Sequence, residues 1–259
     1  MKVLAIGDIV ADTGVETVGK YLNSIKKEHK IDFVIANGEN ASALGIIPAQ
    51  ADALFSYGVD VITLGNHSFA KHAILNYLDD NNYILRPHNY APQLPGRGYA
   101  IYNVNNYNVL VINLIGRVDM EVGPDNPFLC AEKILKSCDG EFDIAILDFH
   151  AQATSEKYAM GFHLDGKISA LFGTHTHVKT ADTRIFPNGM GYITDVGMVG
   201  PMWSVIGVTP EISLKMFRGD IQERFTTATG VQFLNATIFD IDEDTKKCRS
   251  VENLTIIGD

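Results

Sequence analysis

Two histidines separated by a single residue, His175 and His177, come shortly after an apolar run at positions 168–172. That run has the composition of a buried strand, so the pair stands just past a strand end. Neutral imidazole is the commonest metal ligand in proteins, and both rings can face one point if the backbone there leaves the regular pleat. Two ordinary polar loop residues are the alternative, and a His-x-His pair alone does not decide between the two interpretations.

Other strand-like segments of the chain also end in residues of types that bind metals. These residues are Asp8, Glu39, Asn66 and His150. Taken singly, Asp8 and Asn66 are explained as capping or turn-forming residues. Glu39 is explained as a solvated carboxylate and His150 as a satisfied buried histidine. Because these explanations are independent of one another, the pattern as a whole favours a shared site.

Segments typical of strands and helices alternate through the first 80 residues. The sequence predicts strands at 3–6, 32–36 and 59–64, and helices at 15–25, 48–55 and 71–78. This βαβαβα order indicates a parallel sheet with right-handed crossovers. In an open α/β sheet, the carboxyl ends of the strands line the ligand crevice, so donors placed at strand ends should converge there.

The rest of the chain has a different character. Proline and glycine at 86–98 predict irregular chain, and two hairpins are predicted at 99–112 and 184–194. Further strands are predicted at 142–147, 231–241 and 251–257, with helices at 131–136 and from residue 154. With no internal repeat and no convincing linker, the simplest architecture is one domain over residues 1–259 that contains two sheets.

Composition excludes several classes of protein. The formal net charge of the 259-residue chain is -10 and no Lys/Arg-rich block is present, so stable binding of duplex nucleic acid is not expected. The three cysteines have no paired motif spacing, which indicates reduced thiols and a cytoplasmic location. The N-terminus lacks a signal-peptide layout and no apolar run has the length of a membrane span.

The donor types limit the metals that such a cluster would bind. Carboxylate, amide and imidazole donors without thiolates suit Mn, Fe or Zn better than a structural cysteine-type zinc site. The donors also outnumber the four that one tetrahedral ion uses. Two ions about 3.5–4 Å apart, bridged by one carboxylate, would use them all, as in phosphatases and nucleases.

Five motifs follow one another along the chain. They are Gly7-Asp8, Gly38-Glu39-Asn40, Gly65-Asn66-His67, Asp148-Phe149-His150-Ala151 and Gly173-Thr174-His175-Thr176-His177. In this order they resemble the motifs of the calcineurin-like metallophosphoesterases, and more narrowly those of the YmdB-like bacterial phosphodiesterases. The resemblance extends from residue 2 to about residue 201, and the remaining tail is less distinctive.

The resemblance implies a fold and a ligand set. The fold is a four-layer α/β/β/α sandwich of the metallophosphoesterase type. One metal would be held by Asp8, Asn40 and His177. The other would be held by Asn66, His150 and His175, and Glu39 would bridge the two. The ions would be divalent or of mixed valence, with Fe or Mn foremost and Mg or Zn as alternatives.

The resemblance also implies an activity. Family members hydrolyse phosphodiesters, including 2′,3′-cyclic or 3′,5′-cyclic nucleotides, and some have RNA-related roles. A hydroxide bridging the ions would attack phosphorus in line. His67 would act as the catalytic proton donor, and with Asn40 it would contact the substrate. Neighbours on an extended segment point in roughly opposite directions. The loop at the strand end relaxes that rule, but we do not expect Asn66 and His67 to bind the same ion.

Three positions depart from the wider superfamily pattern. Val10 stands where that superfamily has a histidine, and Glu39 stands where it has an aspartate; both features fit the YmdB-like branch. Gln152 stands where the branch is expected to have a glutamate. The hydrogen bond that this glutamate would make to a metal ligand is therefore in doubt.

Other interpretations remain open at this stage. The protein could be a metal-dependent nucleotide sensor with little turnover, which Gln152 favours, or a phosphomonoesterase. An amidohydrolase-type enzyme also uses His-x-His, but there the pair follows the first strand, and here it comes late. The sequence leaves self-association into a homo-oligomer undecided.

Overall fold

The computed structural model describes residues 1–120, 123–221 and 223–258. Its strands are β1 (Lys2–Ile6), β2 (Asp8–Ile9), β3 (Phe33–Asn37), β4 (Val61–Thr63), β5 (Ile84–Leu85), β6 (Tyr99–Val104), β7 (Tyr107–Ile115), β8 (Ile144–His150), β9 (Ala170–Thr174), β10 (Arg184–Ile185), β11 (Gly191–Ile193), β12 (Met198–Pro201), β13 (Gln232–Ile241) and β14 (Cys248–Ile257). Its helices are α1 (Ala11–His29), α2 (Pro48–Tyr57), α3 (Leu75–Asp80), α4 (Pro127–Ser137), α5 (Thr154–Leu164) and α6 (Pro210–Arg218).

The first sheet joins the N-terminal strands to the C-terminal ones. Its order is β2-β12-β13-β1-β3-β4-β5, and β14 pairs with β13. Strands β1, β3 and β4 run parallel, as the sequence predicted, β5 joins them in parallel, and β13 lies antiparallel beside β1. The carboxyl ends of β1, β3 and β4 therefore meet at one edge of this sheet.

The second sheet contains the middle of the chain. Its order is β10-β11-β9-β8-β7-β6, with β7, β8, β9 and β11 parallel. The predicted hairpins β6-β7 and β10-β11 are confirmed, and they form the two ends of the sheet. Strands β8 and β9 end beside each other, so His150 is paired in register with Thr174.

Alternation of side chains along the strands builds a four-layer α/β/β/α sandwich. In β1, Val3 and Ala5 pack into the core between the two sheets, whereas Leu4 and Ile6 pack towards α1 and α2 on the outer side. The same division in β7 sends alternate residues towards the second sheet's helices α4 and α5. A period of two is what strand geometry dictates, and the predicted fold is confirmed.

Several elements escaped prediction from the sequence. Strands β2 and β5 have two residues each, and β12 has four, which is too short for a periodic pattern. Helix α6 buries only Ser213, so its apolar residues do not mark a core-facing stripe. The helix predicted at 71–78 is a 3₁₀ turn at His72–Ile74 followed by α3.

Two features bear on compartment and surface. All three cysteines are free thiols. Among the residues that the structure describes, no helix combines the length and the apolar character that a membrane crossing requires.

Candidate metal centre

The seven predicted ligands lie together where strands of both sheets end. Asp8 belongs to β2, and Glu39 and Asn40 follow β3. Asn66 follows β4, and His150 is the last residue of β8. The two histidines of the His-x-His pair follow β9. We describe them as an inner group, comprising Glu39, Asn66, His150 and His175, and an outer group, comprising Asp8, Asn40 and His177.

The inner group is organised around one nitrogen atom, Nε2 of His150. This atom lies 3.2 Å from Oε1 of Glu39, 3.0 Å from Oδ1 of Asn66 and 3.0 Å from Nδ1 of His175. Ligand atoms of Glu39, His150 and His175 all lie within 4.8 Å of one another. Two oxygens and one nitrogen, all with lone pairs, therefore surround Nε2 of His150 at distances that a shared proton, or a cation in its place, can satisfy.

The charges of the inner group are tightly coupled. Burial acts to lower the pKa of His150, but the charge and hydrogen bond of Glu39 outweigh it and raise that pKa to about 9. Burial acts to raise the pKa of Glu39, yet its contacts with His150 and His67 hold that pKa well below its usual range. Burial, with the charge of His150, lowers the pKa of His175 to about 3. Without a metal, His150 is the protonated imidazole and His175 the neutral one.

Buried hydrogen bonds fix the orientation of the His150 ring. The hydroxyl of Thr174 donates to Oδ1 of Asp148 at 2.7 Å, so its oxygen is left to accept from Nδ1 of His150 at 2.9 Å. Asp148 is completely buried, and Thr63 and Asn37 also donate to it. With Nδ1 engaged as a donor, Nε2 is the nitrogen that His150 offers to a metal.

The outer group is less complete. Nε2 of His177 lies 3.0 Å from Nδ2 of Asn40 and 3.8 Å from Oδ1 of Asp8. That Asp8 oxygen is buried and has no hydrogen-bond partner, and burial raises the pKa of Asp8 to about 6. Asn40 directs its amide nitrogen towards His177, and a half-turn of the amide would present the oxygen instead.

The His-x-His backbone leaves the strand geometry, as the sequence analysis required. His175 has a φ of 100° and His177 a φ of 63°, both in the left-handed region. A buried ion pair holds this turn, because Nζ of Lys157 lies 2.8 Å from Oδ2 of Asp195 and donates to the Thr174 carbonyl. The same Asp195 oxygen accepts from the backbone N–H of Thr176.

Space and chemistry at the cluster fit bound cations. A Cβ atom at Gly65 would lie 2.3 Å from both Oε2 of Glu39 and Nε2 of His150, so glycine keeps this point clear. Oδ1 of Asp8 is buried without a hydrogen-bond partner. Burying an unpaired carboxylate oxygen is energetically unfavourable, and a bound cation would compensate for it. The donor set of carboxylates, amides and imidazoles is the one that Mn, Fe and Zn use.

His67 lies at the open side of the cluster. Its side chain is 31% exposed, compared with 0% for His150. Nδ1 of His67 is 3.0 Å from Oδ1 of Asn40, and Nε2 is 3.1 Å from Nδ2 of Asn66. The opposite directions of an extended segment are therefore not found at Asn66 and His67. The turn that starts at Gly65 brings both side chains to the same side.

A model of the YmdB-like protein family matches residues 4–254. This chain belongs to that family. It is 40% identical over 260 residues to the 2′,3′-cyclic-nucleotide 2′-phosphodiesterase of Bacillus subtilis (strain 168), covering 100% of this chain and 98% of the relative. The resemblance inferred from the motifs is confirmed.

Solved structures agree with this assignment over the whole chain. A hypothetical protein from Thermus thermophilus superposes with a TM-score of 0.93 at 35% identity, covering 100% of both chains. A protein from Mycoplasma pneumoniae described as a novel phosphatase superposes with a TM-score of 0.94 at 34% identity. That match covers 100% of this chain and 94% of the other.

The YmdB-like site also contains residues whose roles the sequence did not reveal. Asp148, Thr174, Lys157 and Asp195 occur in the recognised stretches, yet nothing in their spacing predicts that they orient the ligands. Gln152, by contrast, is exposed, and no hydrogen bond of its side chain is found among the described residues. Among the described residues, no hydrogen bond therefore links Gln152 to the ligands.

Proposed function

We propose that the protein is a metal-dependent phosphodiesterase that hydrolyses cyclic nucleotides. Its foremost substrates on this proposal are 2′,3′-cyclic nucleotides, in accord with the activity named for the Bacillus subtilis relative. The observation that supports the proposal most strongly is the arrangement around Nε2 of His150, where three lone-pair donors converge within 3.2 Å. Such a point, fully buried, is suited to a cation.

Two ions fit the proposal better than one, because the inner and outer groups each offer their own donors. Glu39 would contact both ions, with Asn66, His150 and His175 holding one and Asp8, Asn40 and His177 the other. We propose Fe or Mn as the ions. When bound, they supply Lewis acidity that polarises phosphoryl oxygens and lowers the pKa of bound water.

The side chains of the protein position the substrate and manage its protons. Opening a 2′,3′-cyclic phosphate at the 2′ side leaves an alkoxide that needs a proton. His67 is suited to supply it because its ring faces the opening of the site while Asn40 holds its Nδ1. Asn40 and His67 together would contact the phosphate before reaction. Cleavage leaves a 3′-phosphomonoester.

We also propose a cellular location and a domain organisation for the protein. We place the protein in the cytoplasm, since its thiols are unpaired. We treat residues 1–259 as one catalytic domain, because strands from both ends of the chain share the first sheet.

The test is turnover after controlled metal loading. Metal-free protein would be loaded with Mn²⁺ or Fe²⁺, its metal content measured, and its hydrolysis of 2′,3′-cyclic AMP, 3′,5′-cyclic AMP and AMP compared. We expect near two equivalents of metal and faster hydrolysis of the cyclic diesters than of AMP. Preferential hydrolysis of AMP would favour a phosphomonoesterase, and tight binding without turnover would favour a sensor. His150→Gln is the control for activity that arises from this site.

A further inference from the structure

A cavity of about 350 Å³ opens directly beside the outer group. His177 lies in its wall, and much of the remaining wall is apolar, formed by Leu44, Ile206 and Phe225 among others. Phe225 is 48% exposed and Leu44 is 54% exposed, so both side chains are accessible. The volume lies at the lower end of the range of about 300–1,000 Å³ that is typical of small-molecule pockets.

Two cationic side chains, Lys71 and Arg224, also line this cavity. Within the described part of the chain, neither side chain forms an ion pair or a hydrogen bond. The protein has a net charge of -10, so two unpaired cationic side chains beside one cavity make the local charge positive where the protein as a whole is negative. A cleft lined by one sign of charge attracts ligands of the opposite sign.

The cavity wall is joined to the outer group. Nδ1 of His177 lies 3.0 Å from the carbonyl oxygen of Ile206, which this ring can donate to. Ile206 has a φ of 47°, a left-handed conformation that is a clear outlier for a β-branched residue. Paired backbone hydrogen bonds between Val205 and Val208 hold the turn. His177 is therefore shared by the outer group and the cavity wall, and the cavity lies within reach of a molecule whose phosphate is at the cluster.

We infer that the cavity is the nucleoside subsite of the enzyme. The base of the nucleotide under attack packs against Phe225 and Leu44. Lys71 and Arg224 face the phosphate on the 5′ side of that nucleotide, so the site suits the 3′-terminal nucleotide of an RNA fragment. This inference rests on the proposed function, because it requires the reacting phosphate to lie at the candidate metal centre. Stacking explains the aromatic wall, since every base has a π-face that an aromatic side chain can contact.

The experiment compares substrates with and without a base. The kcat/KM for 2′,3′-cyclic AMP is divided by that for ribose 2′,3′-cyclic phosphate, in the metal-loaded wild type and in Phe225→Ala. We expect the ratio to fall about tenfold in Phe225→Ala, mainly through KM, which is within the range for loss of one base–aromatic stack. Phe217→Ala is the matched control, because Phe217 is 76% exposed and does not line the cavity. Its ratio should equal that of the wild type.

A binding measurement makes the result independent of turnover. Calorimetry with adenosine 3′-monophosphate should show a Kd about tenfold weaker for Phe225→Ala than for Phe217→Ala. An unchanged ratio and an unchanged Kd in Phe225→Ala would overturn the base subsite while leaving the proposed activity intact. Failure of the wild type to hydrolyse either substrate would instead overturn the proposed function itself.

A second pair of substrates tests the role of the cationic side chains Lys71 and Arg224. A dinucleotide ending in a 2′,3′-cyclic phosphate adds a 5′ phosphodiester to the same reacting group. We expect the wild type to prefer it several-fold over the mononucleotide at low salt, and expect Arg224→Gln to remove most of that preference. Arg218→Gln, on the exposed end of α6, is the matched control. Equal preferences in the two variants would overturn the assignment of Arg224 to a substrate phosphate.

Discussion

The inner and outer groups of the candidate metal centre are built to different degrees of completeness. Around Nε2 of His150, Glu39, Asn66 and His175 each place a polar atom within 3.2 Å, and the ring is fixed from behind by Thr174 and Asp148. In the outer group, Asp8 keeps an oxygen without a partner, and His177 is held by the carbonyl of an exposed residue, Ile206. The inner group is preorganised, and the outer group is left to be completed by what binds there.

This difference suggests a division of labour within one site. A preorganised group loses little conformational entropy when it binds a cation, so the inner group should bind its ion more tightly. His177 of the outer group lines the same cavity as Phe225. The ion of the outer group and the substrate should therefore influence each other's binding. Four predictions test this comparison, from the largest expected effect to the smallest.

The largest effect should come from the residue shared by the two groups. Glu39→Gln removes the carboxylate that is proposed to contact both ions. Both ions should therefore be lost, and turnover should fall by at least about 10³-fold. Metal analysis and kcat on the same preparation measure this. Asn66→Ala, which alters the inner group alone, should first weaken one ion. Retention of two equivalents and full turnover in Glu39→Gln would refute the bridging role.

A second prediction separates proton transfer from metal binding. His67→Ala should keep both metals and the fold, yet lose turnover by about 10²–10⁴-fold, the usual contribution of positioned proton transfer. The loss should be smaller for a p-nitrophenolate leaving group, which hardly needs a proton, than for a nucleoside alkoxide. Equal losses on the two substrates would leave His67 as a phosphate-positioning residue. Loss of one metal equivalent would make it a ligand.

The third prediction concerns the hydrogen bonds behind the inner group. Thr174→Val removes the hydroxyl that links His150 to Asp148, so His150 should no longer be held with Nε2 towards the centre. Loss of such an orienting contact typically lowers metal affinity about 10- to 100-fold. Titration of the tighter ion should show this shift. The control is Thr176→Val, because the only hydrogen bond found for that hydroxyl among the described residues is accepted from the N–H of Val178.

The sequence revealed the ligands better than it revealed their supports. Each donor could be found because it ends a strand-like run, and parallel strands bring their ends together whatever their exact pairing. Asp148 lies inside β8 and Thr174 is the last residue of β9, and neither residue type by itself indicates what it contacts. Their contact depends on the register of β8 with β9, which no local pattern specifies.

The outer side of the site was the hardest part to predict. The segment that lines the cavity, with Ile206 and Phe225, has short elements and exposed apolar residues, so it lacks the periodicity that burial imposes. Helix α6 lies within the same stretch and was missed for the same reason. Exposed residues that line a cavity do not follow the hydrophobic periodicity from which strands and helices are predicted.

The smallest predicted effect is a pH dependence of the metal-free protein, and it distinguishes the two groups. The pKa of folded His150 is raised from 6.5 to about 9, so the folded protein keeps a proton that the unfolded chain releases between these values. The resulting stabilisation is fully present below pH 6.5 and is lost as the pH rises through 9. At 1.36 kcal/mol per pKa unit, the loss is at most about 3 kcal/mol.

The outer group should respond in a different window. The pKa of folded Asp8 is raised from 3.8 to about 6, so its protonated form is also favoured by folding, and this stabilisation is lost as the pH rises through 6. Urea unfolding of the metal-free protein at pH 6.5 and pH 9 measures this loss, and His150→Gln should abolish the part of it that comes from His150. The same comparison in Asp8→Asn should leave most of that difference in place, because a carboxyl with a pKa of about 6 is mostly ionised by pH 6.5. If Asp8→Asn removed the loss between pH 6.5 and 9, the proton would belong to the coupled cluster as a whole. The inner group could then no longer be regarded as a preorganised unit of its own.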